Sequence, residues 1–507
     1  MLRGLLLCCV LLLGLAGPAH ARDGITARSD HFVLRSDAAV AAHDILSDLE
    51  IFRHAVLADL ELAPSEAAPL SITITDDLAL FDAITPGGIT AAIYLQSAAG
   101  SDIVVGHSED PEHLLGDALE PAWLRLVLRH EVVHHIIESH YPRKLPIWLG
   151  EGLAEYYATF DADPDGLAVF GRSLPEQDIL PSGEGWLPMR TVIESLSRYP
   201  NYAVADAPAL HRAQRLYYGQ VAALARFVID QPEGLARVHR FIDGLGPDTD
   251  SEDSFEAAFG LRYAMLEARM RQSAADGADR LRVRRLAPRA GPSTITVAPL
   301  SAGEANTHAL RLLLRHGRTT PRAQDAIARA RTRPGVDTSA LQHAEALQAW
   351  RQGDWDRSDR FTDAALARNP ADARALKIRA KSAYGRVSAD QMNETLWDAA
   401  ERAALRALAA MPDDPQLHLF RVAVSLPEAD GLPREALASL DWLGAREVQD
   451  RLPHEAMMMI PALIYEGRLD RADDVLDTAA RWTTDPADLF VIERLRANVA
   501  AERASGG

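Results

Sequence analysis

The first half of the chain carries short apolar patterns that are typical of strands. Residues 70–75 (Leu-Ser-Ile-Thr-Ile-Thr) alternate apolar and polar side chains with a period of two. This alternation predicts a strand with one buried face. Shorter patterns of the same kind predict further strands over 31–35, 91–95 and 102–105.

Longer segments between and after these strands have the periodicity of helices. Leu46, Leu49 and Phe52 recur at helical spacing and predict a helix over 38–62. Downstream, helices are predicted over 121–140, 146–158, 209–230 and 232–243. A run of strands followed by a run of helices is typical of an α+β domain, which we expect to cover residues 22–275.

The composition changes after this domain. Residues 276–300 are rich in Arg, Pro and Gly and are interpreted as a linker with one strand at 294–297. From 301 to 507 the chain is dominated by Ala, Leu and Arg at helical spacing. We therefore predict an all-α region after the α+β domain.

An internal period runs through this helical region. Pro334 follows Gly317 by 17 residues, and Pro370 follows Gly353 by the same 17 residues. The segment 351–370 resembles the tetratricopeptide repeat (TPR), in which the glycine would let two helices turn closely past each other and the proline would end the second helix. The alternative is an ordinary bundle of Ala-rich helical hairpins. Weaker copies of the pattern occur near Pro412 and Gly467.

Charge and the N-terminal segment restrict the classes of function. The 507 residues contain 53 Lys and Arg against 72 Asp and Glu, a net charge of −19. This balance argues against a general nucleic-acid binder, which needs basic residues to neutralise phosphates. Residues 1–21 combine Arg3, an apolar run and an Ala-His-Ala site, the pattern of a secretory signal peptide. We expect export to a periplasm or to the outside, with an uncleaved membrane anchor as the alternative, and both cysteines, Cys8 and Cys9, fall in this segment.

The motif with the clearest chemistry is His-Glu-x-x-His at 130–134. On a helix, His130 and His134 lie about 40° apart on one face, so both imidazoles can reach one zinc ion. Glu131 can hold a water molecule beside that ion without binding the metal. The helix is otherwise mostly apolar, and ionisable groups on a buried helix need partners. The alternative is a pair of hydrogen-bonded histidines beside an ion-paired glutamate.

A second predicted helix follows after a short loop and offers a third ligand. A catalytic zinc ion commonly has three protein ligands and one open position. Glu151 would face the first helix, Gly152 would permit close helix approach, and Glu155 could hydrogen-bond to a ligand histidine.

These motifs together resemble the gluzincin zinc peptidases, and most closely the exported peptidase-MA-like proteins. The resemblance rests on H-E-x-x-H followed after sixteen residues by W-L-x-E-G-x-A-E-Y, and it covers about residues 30–272. It implies His130, His134 and Glu151 as zinc ligands and Glu131 as the general base. In the segment beginning Tyr217-Tyr218-Gly-Gln, the resemblance implies that Tyr218 stabilises the oxyanion, with Tyr217 as the alternative. The segment Phe255–Gly260 is similar to the family's closing element.

Two features differ from related zinc peptidases. His140 occupies the third-ligand position of the metzincins, but that arrangement needs a glycine at position 137, where this chain has Ile137. His135 is expected to pack or to face solvent. The chain also lacks a G-x-M-E-N motif, so the free-amine preference of the aminopeptidases has no support.

The sequence therefore predicts an exported zinc metallopeptidase whose TPR-like repeats recruit a protein partner or substrate. One alternative is a catalytically inert zinc-site protein that acts as an interaction scaffold in the cell envelope. A second is an assembly factor tethered to the membrane by an uncleaved signal. The retention of Glu131 favours the enzyme, because a structural zinc site does not need that carboxylate.

Overall fold

The computed structural model describes most of the chain after residue 23. The predicted signal peptide at 1–21 lies outside the described residues. The described ranges are 24–38, 40–64, 69–85, 92–97, 100–106, 121–141, 145–163, 166–172, 186–194, 207–244, 251–275, 281–286, 293–317, 321–333, 335–425, 431–446, 448–451, 453–482 and 486–505.

Within these ranges the chain is a mixed α+β protein with many helices and little sheet, as the patterns predicted. The strands are β1 (Gly24–Arg28), β2 (Phe32–Ser36), β3 (Leu70–Thr75), β4 (Ala92–Ser97), β5 (Gly100–Gly106), β6 (Asp161–Ala162), β7 (Leu167–Phe170), β8 (Arg282–Arg285) and β9 (Thr296–Leu300). The helices of the first part are α1 (Ala42–Asp59), α2 (Leu78–Ile84), α3 (Pro121–His140), α4 (Ile147–Ala158), α5 (Met189–Ile193), α6 (Ala207–Ile229), α7 (Gly234–Gly244), α8 (Ser251–Phe259) and α9 (Tyr263–Ala275). Those of the second part are α10 (Ala302–His316), α11 (Pro321–Thr332), α12 (Thr338–Arg351), α13 (Trp355–Arg368), α14 (Ala373–Ala389), α15 (Glu394–Ala410), α16 (Pro415–Val424), α17 (Arg434–Ala445), α18 (Val448–Arg451), α19 (Pro453–Ala456), α20 (Ile460–Tyr465), α21 (Leu469–Trp482) and α22 (Pro486–Ser505).

The larger sheet has the strand order β4-β5-β3-β2-β1-β9. Strands β2, β3 and β5 run parallel in its centre, and β4, β1 and β9 are antiparallel to their neighbours. Helix α1 lies between the parallel strands β2 and β3 in the chain, as a crossover connection requires. Strand β4 forms one edge of the sheet.

Alternation along the central strands separates two faces. Leu34, Ile72 and Ile103 are aligned across β2, β3 and β5 and belong to the main apolar core, which includes residues of α1 and α3. Arg35 and Thr73, each one residue further along, are also paired with each other and point to the other face. Helices α2 and α10 to α12 form a second apolar cluster with that face.

The region predicted as a linker contributes strands to both sheets. β9 pairs with β1 at the edge of the larger sheet, and β8 pairs with β7 in a three-stranded sheet of order β6-β7-β8. The single strand predicted at 294–297 is observed as Thr296–Leu300. Pro299 is compatible with this strand because an edge strand tolerates a residue without an N–H group.

A buried carboxylate explains why β8 is attached to the domain. Asp59, at the end of α1, is fully buried and accepts hydrogen bonds from Arg282 Nε at 3.0 Å and Arg284 Nη1 at 3.2 Å. Tyr157 of α4 donates to the same carboxylate at 2.8 Å. The arginines whose basic composition suggested a linker therefore neutralise a buried acid of the preceding domain.

The second part of the chain consists of helices that follow one another in pairs. Helices α10, α12, α14 and α16 form a row in which each contacts the next, and α12, α14 and α16 also contact their following helices α13, α15 and α17. Asp337, Asp372 and Asp414 cap the N-termini of α12, α14 and α16 by accepting from backbone N–H groups. These caps follow the prolines that marked the sequence period.

Two of the repeat glycines, Gly353 and Gly467, have a different role from the one predicted, whereas Gly317 ends α10 with φ −59°. Gly353 has φ +74° at the end of α12, and no atom lies within 4 Å of the position that a Cβ would take. Its N–H donates to Trp350 O and the next N–H donates to Ala349 O, a Schellman motif. Gly467 repeats this arrangement with φ +66°. These glycines provide a left-handed turn, and close helix approach is not the reason for them.

Among the described helices, none is both long enough and apolar enough to cross a membrane.

Candidate metal centre

Helix α3 carries the two histidines of the motif without interruption. It spans Pro121–His140, as predicted, and His130 and His134 project from one face. The ring nitrogens His130 Nε2 and His134 Nε2 are 3.2 Å apart. The rest of the helix is anchored by apolar side chains in the main core: Leu124, Leu128, Val132, Val133, Ile136 and Ile137.

Helix α4 brings a carboxylate to the same point. Glu151 is 2% exposed. Its Oε2 lies 3.4 Å from His130 Nε2 and 3.6 Å from His134 Nε2. The structure therefore brings together the three residues that the sequence suggested as metal ligands.

The three donor atoms have a spacing that fits a zinc ion. Zinc binds imidazole nitrogen and carboxylate oxygen at about 2.0–2.2 Å, so a tetrahedral site places its donors about 3.3–3.5 Å apart. The observed separations of 3.2, 3.4 and 3.6 Å agree with that value. In the described part of the chain this group contains no fourth His, Cys, Asp or Glu. Two histidines and one glutamate are one of the ligand sets that catalytic zinc sites use, with a fourth position left open.

Glu155, one turn after Glu151, supports the histidine nearest to it. Its Oε1 lies 3.2 Å from His130 Nδ1, so it can orient the imidazole and leave Nε2 facing the other donors. Burial lowers the pKa of His130, but hydrogen bonds to Glu151 and Glu155 and the charge of Glu131 outweigh burial and raise this pKa well above its ordinary value. The surroundings of His130 thus favour positive charge, as a cation site requires.

Glu131 stands beside this group and is held by the edge of the sheet. It is 9% exposed, and its Oε2 accepts a hydrogen bond from the backbone N–H of Tyr94 at 2.8 Å. Tyr94 belongs to β4 and is itself held by a hydrogen bond between its hydroxyl group and Ser101 Oγ, at 2.9 Å. One carboxylate oxygen of Glu131, Oε2, is therefore fixed by the sheet.

Nothing in the sequence marks Tyr94 for this contact. The pattern over 91–95 predicts the strand observed as β4, but the partner of Tyr94 N–H lies 37 residues away on a helix. A backbone N–H group has no side-chain signature in a sequence, so only the tertiary arrangement reveals this contact.

A close helix crossing places α6 next to the site. A Cβ atom at Gly152 would lie 2.6 Å from Val221 O and 2.9 Å from Ala225 Cβ, so α4 and α6 can pack this closely only with glycine there. The close approach predicted for Gly152 is confirmed, and the partner is α6.

Helix α6 carries the two tyrosines that the resemblance singled out. The ring of Tyr218 lies 6.5 Å from the His130 ring, and Tyr218 is half-buried. The neighbouring Tyr217 is fully buried in the core. The proposed oxyanion role of Tyr218 stays a prediction.

His140 is turned away from the metal group. Its Nδ1 lies 2.8 Å from Ile136 O and its Nε2 lies 2.9 Å from Ala63 O, so backbone carbonyls engage both ring nitrogens. Because α3 continues through Ile137, the metzincin arrangement is not formed. His135 packs against the ring of Tyr94 at 5.9 Å, and burial lowers the pKa of its imidazole to about 4.

Two further side chains, Arg129 on α3 and Trp148 on α4, hold the site helices in place. Arg129, next to His130, forms an ion pair with Asp48 of α1 and donates to Phe160 O. Trp148 of α4 is fully buried and packs against Phe241 and Phe255, which lies in the segment that resembled the closing element. The donor atoms therefore lie on rigid, well-packed elements.

Comparison of the chain with models of protein families, with curated proteins and with solved structures finds no match.

Proposed function

We propose that this chain is an exported zinc-dependent peptidase of the gluzincin type. The observation that carries the proposal is the convergence of three donor atoms within 3.2–3.6 Å of one another, on a helix where Glu131 follows His130 and its charge raises the pKa of that imidazole. A pKa that nearby carboxylates raise, as that of His130 is raised, is typical of functional sites.

His130, His134 and Glu151 would hold the zinc ion, and Glu155 would orient His130. A zinc ion bound in this way supplies Lewis acidity that lowers the pKa of water and polarises a carbonyl group. The remaining chemistry belongs to the side chains of this protein.

Glu131 is the general base in this proposal. Its Oε1 removes a proton from the attacking water molecule, and the same proton is then delivered to the nitrogen of the leaving amine as the peptide bond breaks. The hydrogen bond from Tyr94 N–H holds Oε2 and so keeps the carboxylate oriented during both transfers. Tyr218 would donate from its hydroxyl group to the oxyanion.

The helices from 302 to 505 would form a TPR-like array that recruits a protein partner or substrate. The support for this part is the row formed by α10, α12, α14 and α16 and the repeated Schellman turns at Gly353 and Gly467. The alternative function is that of a catalytically inert scaffold that uses the same row of helices.

Cleavage of an unbiased peptide library by the mature, zinc-loaded chain tests the proposal. The matched control is Glu131→Gln, which removes the base but leaves the three ligands. We expect cuts by the wild type, loss of nearly all cleavage in the variant, and one zinc ion per chain in both. Equal cutting by both proteins would exclude Glu131 as the base. No cutting by either, with zinc bound in both, would favour the inert scaffold.

A further inference from the structure

A polar cavity of about 280 Å³ lies between α11, α12 and α13, in the helical part of the chain. Its buried lining includes Glu345 and Gln348 of α12, which are 7% and 6% exposed. Its exposed lining includes Asp325 and Arg331 of α11 and Arg357 of α13. The buried side of this cavity is therefore polar, whereas the buried side of a packed helix is usually apolar.

The repeat does not require polar residues at these two positions of α12. Glu345 and Gln348 are the eighth and eleventh residues after Asp337, which caps the helix. Helices α10, α14 and α16 follow equivalent caps at Ser301, Asp372 and Asp414. Their eighth residues are Ala309, Ala380 and Val422, and their eleventh residues are Leu312, Ala383 and Ser425. The other helices place small or apolar side chains at these positions, so helix packing does not account for Glu345 and Gln348.

The buried carboxamide of Gln348 makes no hydrogen bond. Its Nε2 atom is enclosed without a partner, and no polar atom of the described residues bonds to its Oε1 atom. Buried polar groups are nearly always hydrogen-bonded in native proteins. A half-turn of the carboxamide exchanges the two atoms, so this side chain can present either a donor or an acceptor to a molecule in the cavity.

The carboxylate of Glu345 is only partly engaged. Arg331 donates to its Oε1 atom from Nε at 3.1 Å and also from Nη2. Within the part of the chain that the structure describes, no hydrogen bond reaches its Oε2 atom. A carboxylate oxygen can accept two hydrogen bonds, so Oε2 is an acceptor for an N–H group of a ligand.

The charges around the cavity are balanced. Arg331 and Arg357 are positive, and Asp325 and Glu345 are negative. Among the described residues, neither Arg357 nor Asp325 forms an ion pair. An anionic ligand would meet the two carboxylates, and a cationic ligand would meet the two guanidinium groups. The lining therefore favours an uncharged group that both donates and accepts hydrogen bonds.

We propose that this cavity binds a primary carboxamide group, which glutamine and asparagine carry either in a segment of a protein partner or as free amino acids. The carbonyl oxygen of the ligand would accept from Gln348 or Arg357, and its NH₂ group would donate to Glu345 Oε2. A cavity of about 280 Å³ is at the small end of ligand sites, as expected for one side chain. With a protein partner as the source, the proposal rests on the recruiting role of the helices under Proposed function, but it needs neither zinc nor cleavage.

Fluorescence anisotropy with the full mature chain, in the presence of a chelator, tests the site. The probes are three labelled peptides of eight residues that alternate glycine with glutamine, glutamate or methionine, so that chiefly the end of the side chain differs. The test variant is Glu345→Ala with Gln348→Ala, because alanine occupies both equivalent positions of α14. The control variant is Gln342→Ala, on the same helix but outside the cavity.

We expect the glutamine peptide to bind the wild type and the control variant equally, and at least about tenfold more tightly than the other two peptides. The test variant should lose this preference and keep the melting temperature of the wild type, because it removes buried polar groups that lack partners. Equal binding of the three peptides by the wild type, or unchanged binding by the test variant, would overturn the proposal. A melting temperature lowered by more than about 5 °C in the test variant would also overturn it, since the two side chains would then serve the fold.

Competition with unlabelled free glutamine identifies the source of the carboxamide. Displacement of the peptide only at far higher concentration supports a protein partner, and displacement at a similar concentration supports the free amino acid. Because the chelator excludes metal-dependent cleavage, these results do not depend on peptidase activity. Failure of this site and failure of the proposed cleavage are therefore separate results.

Discussion

On one face of the six-stranded sheet, α1 and α3 pack through an apolar core that surrounds the metal group; on the other, α10 is held by polar contacts at Thr73 and Asp102 together with a smaller apolar cluster. The first face is held mainly by the packing of apolar side chains, whereas the second depends both on a smaller apolar cluster and on directional ion pairs at Asp102. We therefore expect damage at the junction with the helical array to leave the candidate metal site unchanged, and damage at the metal site to leave that junction unchanged.

The largest effect is expected from removing a metal ligand. His134→Ala should abolish stoichiometric zinc binding and with it any cleavage, because two protein ligands seldom retain a zinc ion against a chelator. His140→Ala is the matched control on the same helix, since both ring nitrogens of His140 face backbone carbonyls. Zinc content by mass spectrometry distinguishes the two. Equal zinc loss in both variants would mean that His140 belongs to the metal site.

Breaking the ion pairs on the other face should lower stability but leave the metal site intact. Asp102 is 1% exposed, and Asp102→Asn would remove the negative partner of Arg315 and His316. We expect the free energy of unfolding to fall by about 3 kcal/mol, in the range for one lost partner of a buried ion pair. Asp325→Asn, at an exposed position of α11, should change it by less than about 0.5 kcal/mol. Denaturant unfolding measures both, and a change in zinc content with Asp102→Asn would contradict the separation of the two faces.

The effect of Asp102 should depend on pH in a defined direction. Burial raises the pKa of this carboxyl, but the hydrogen bond from His316 and the charge of Arg315 outweigh burial and hold the pKa below its ordinary value of 3.8. The carboxylate therefore stabilises the fold above pH 3.8, and this stabilisation is lost as the pH falls through the lowered value. The difference in melting temperature between wild type and Asp102→Asn should shrink in acid. A difference that stays constant from neutral pH into acid would contradict this assignment.

A smaller effect is expected from a change of volume on the metal side. Gly152→Ala places a methyl group 2.6 Å from Val221 O, so α4 and α6 must separate. We expect a loss of about 1–3 kcal/mol in unfolding free energy. Gly150→Ala is the control two residues earlier on α4, where nothing lies within 4 Å of a Cβ, and it should stabilise the helix by about 0.5–1 kcal/mol. Similar destabilisation by both substitutions would show that the helix crossing is not the constraint.

The smallest change concerns the residue behind a ligand. Glu155→Gln keeps a hydrogen-bond acceptor near His130 Nδ1 but removes the charge. Because the amide keeps a hydrogen bond, we expect zinc binding to weaken by at most about tenfold, the lower end of the range for outright loss of such a contact. Competition with a chelator of known zinc affinity measures this effect. An unchanged zinc affinity would show that Glu155 does not orient His130.

Much of the fold on the metal side could be predicted from local patterns. The strand at Leu70–Thr75 and the helix at Pro121–His140 have the predicted bounds, because their apolar periodicity is long or regular. The two histidines could also be predicted, since ligand spacing on a helix is a local property, whereas Glu151 was inferred from the following helix and from the family resemblance. Strand β1 and strand β8 of the linker region could not, because they are short and gain their stability from pairing with other strands, whereas the pattern at 294–297 predicted β9.

The contacts on the other face of the sheet could not be predicted from the sequence. Nothing in the local pattern joins Thr73 to His308 or Asp102 to Arg315, which are separated by more than 200 residues. Arg282 and Arg284 were interpreted as linker residues because their partner, Asp59, lies on a helix far back in the chain. Ion pairs between residues far apart in the sequence become visible only in the tertiary structure. Helix caps such as Asp372 do leave a local signal, because the capping residue directly precedes its helix, but the repeat pattern was defined by the prolines before them.

X-ray diffraction data collected at the zinc absorption edge test the central claim most directly. The account predicts a single strong anomalous peak about 2.0–2.2 Å from His130 Nε2, His134 Nε2 and a carboxylate oxygen of Glu151, with no other protein atom bound. A peak coordinated by four protein ligands, or one located away from these three residues, would contradict it.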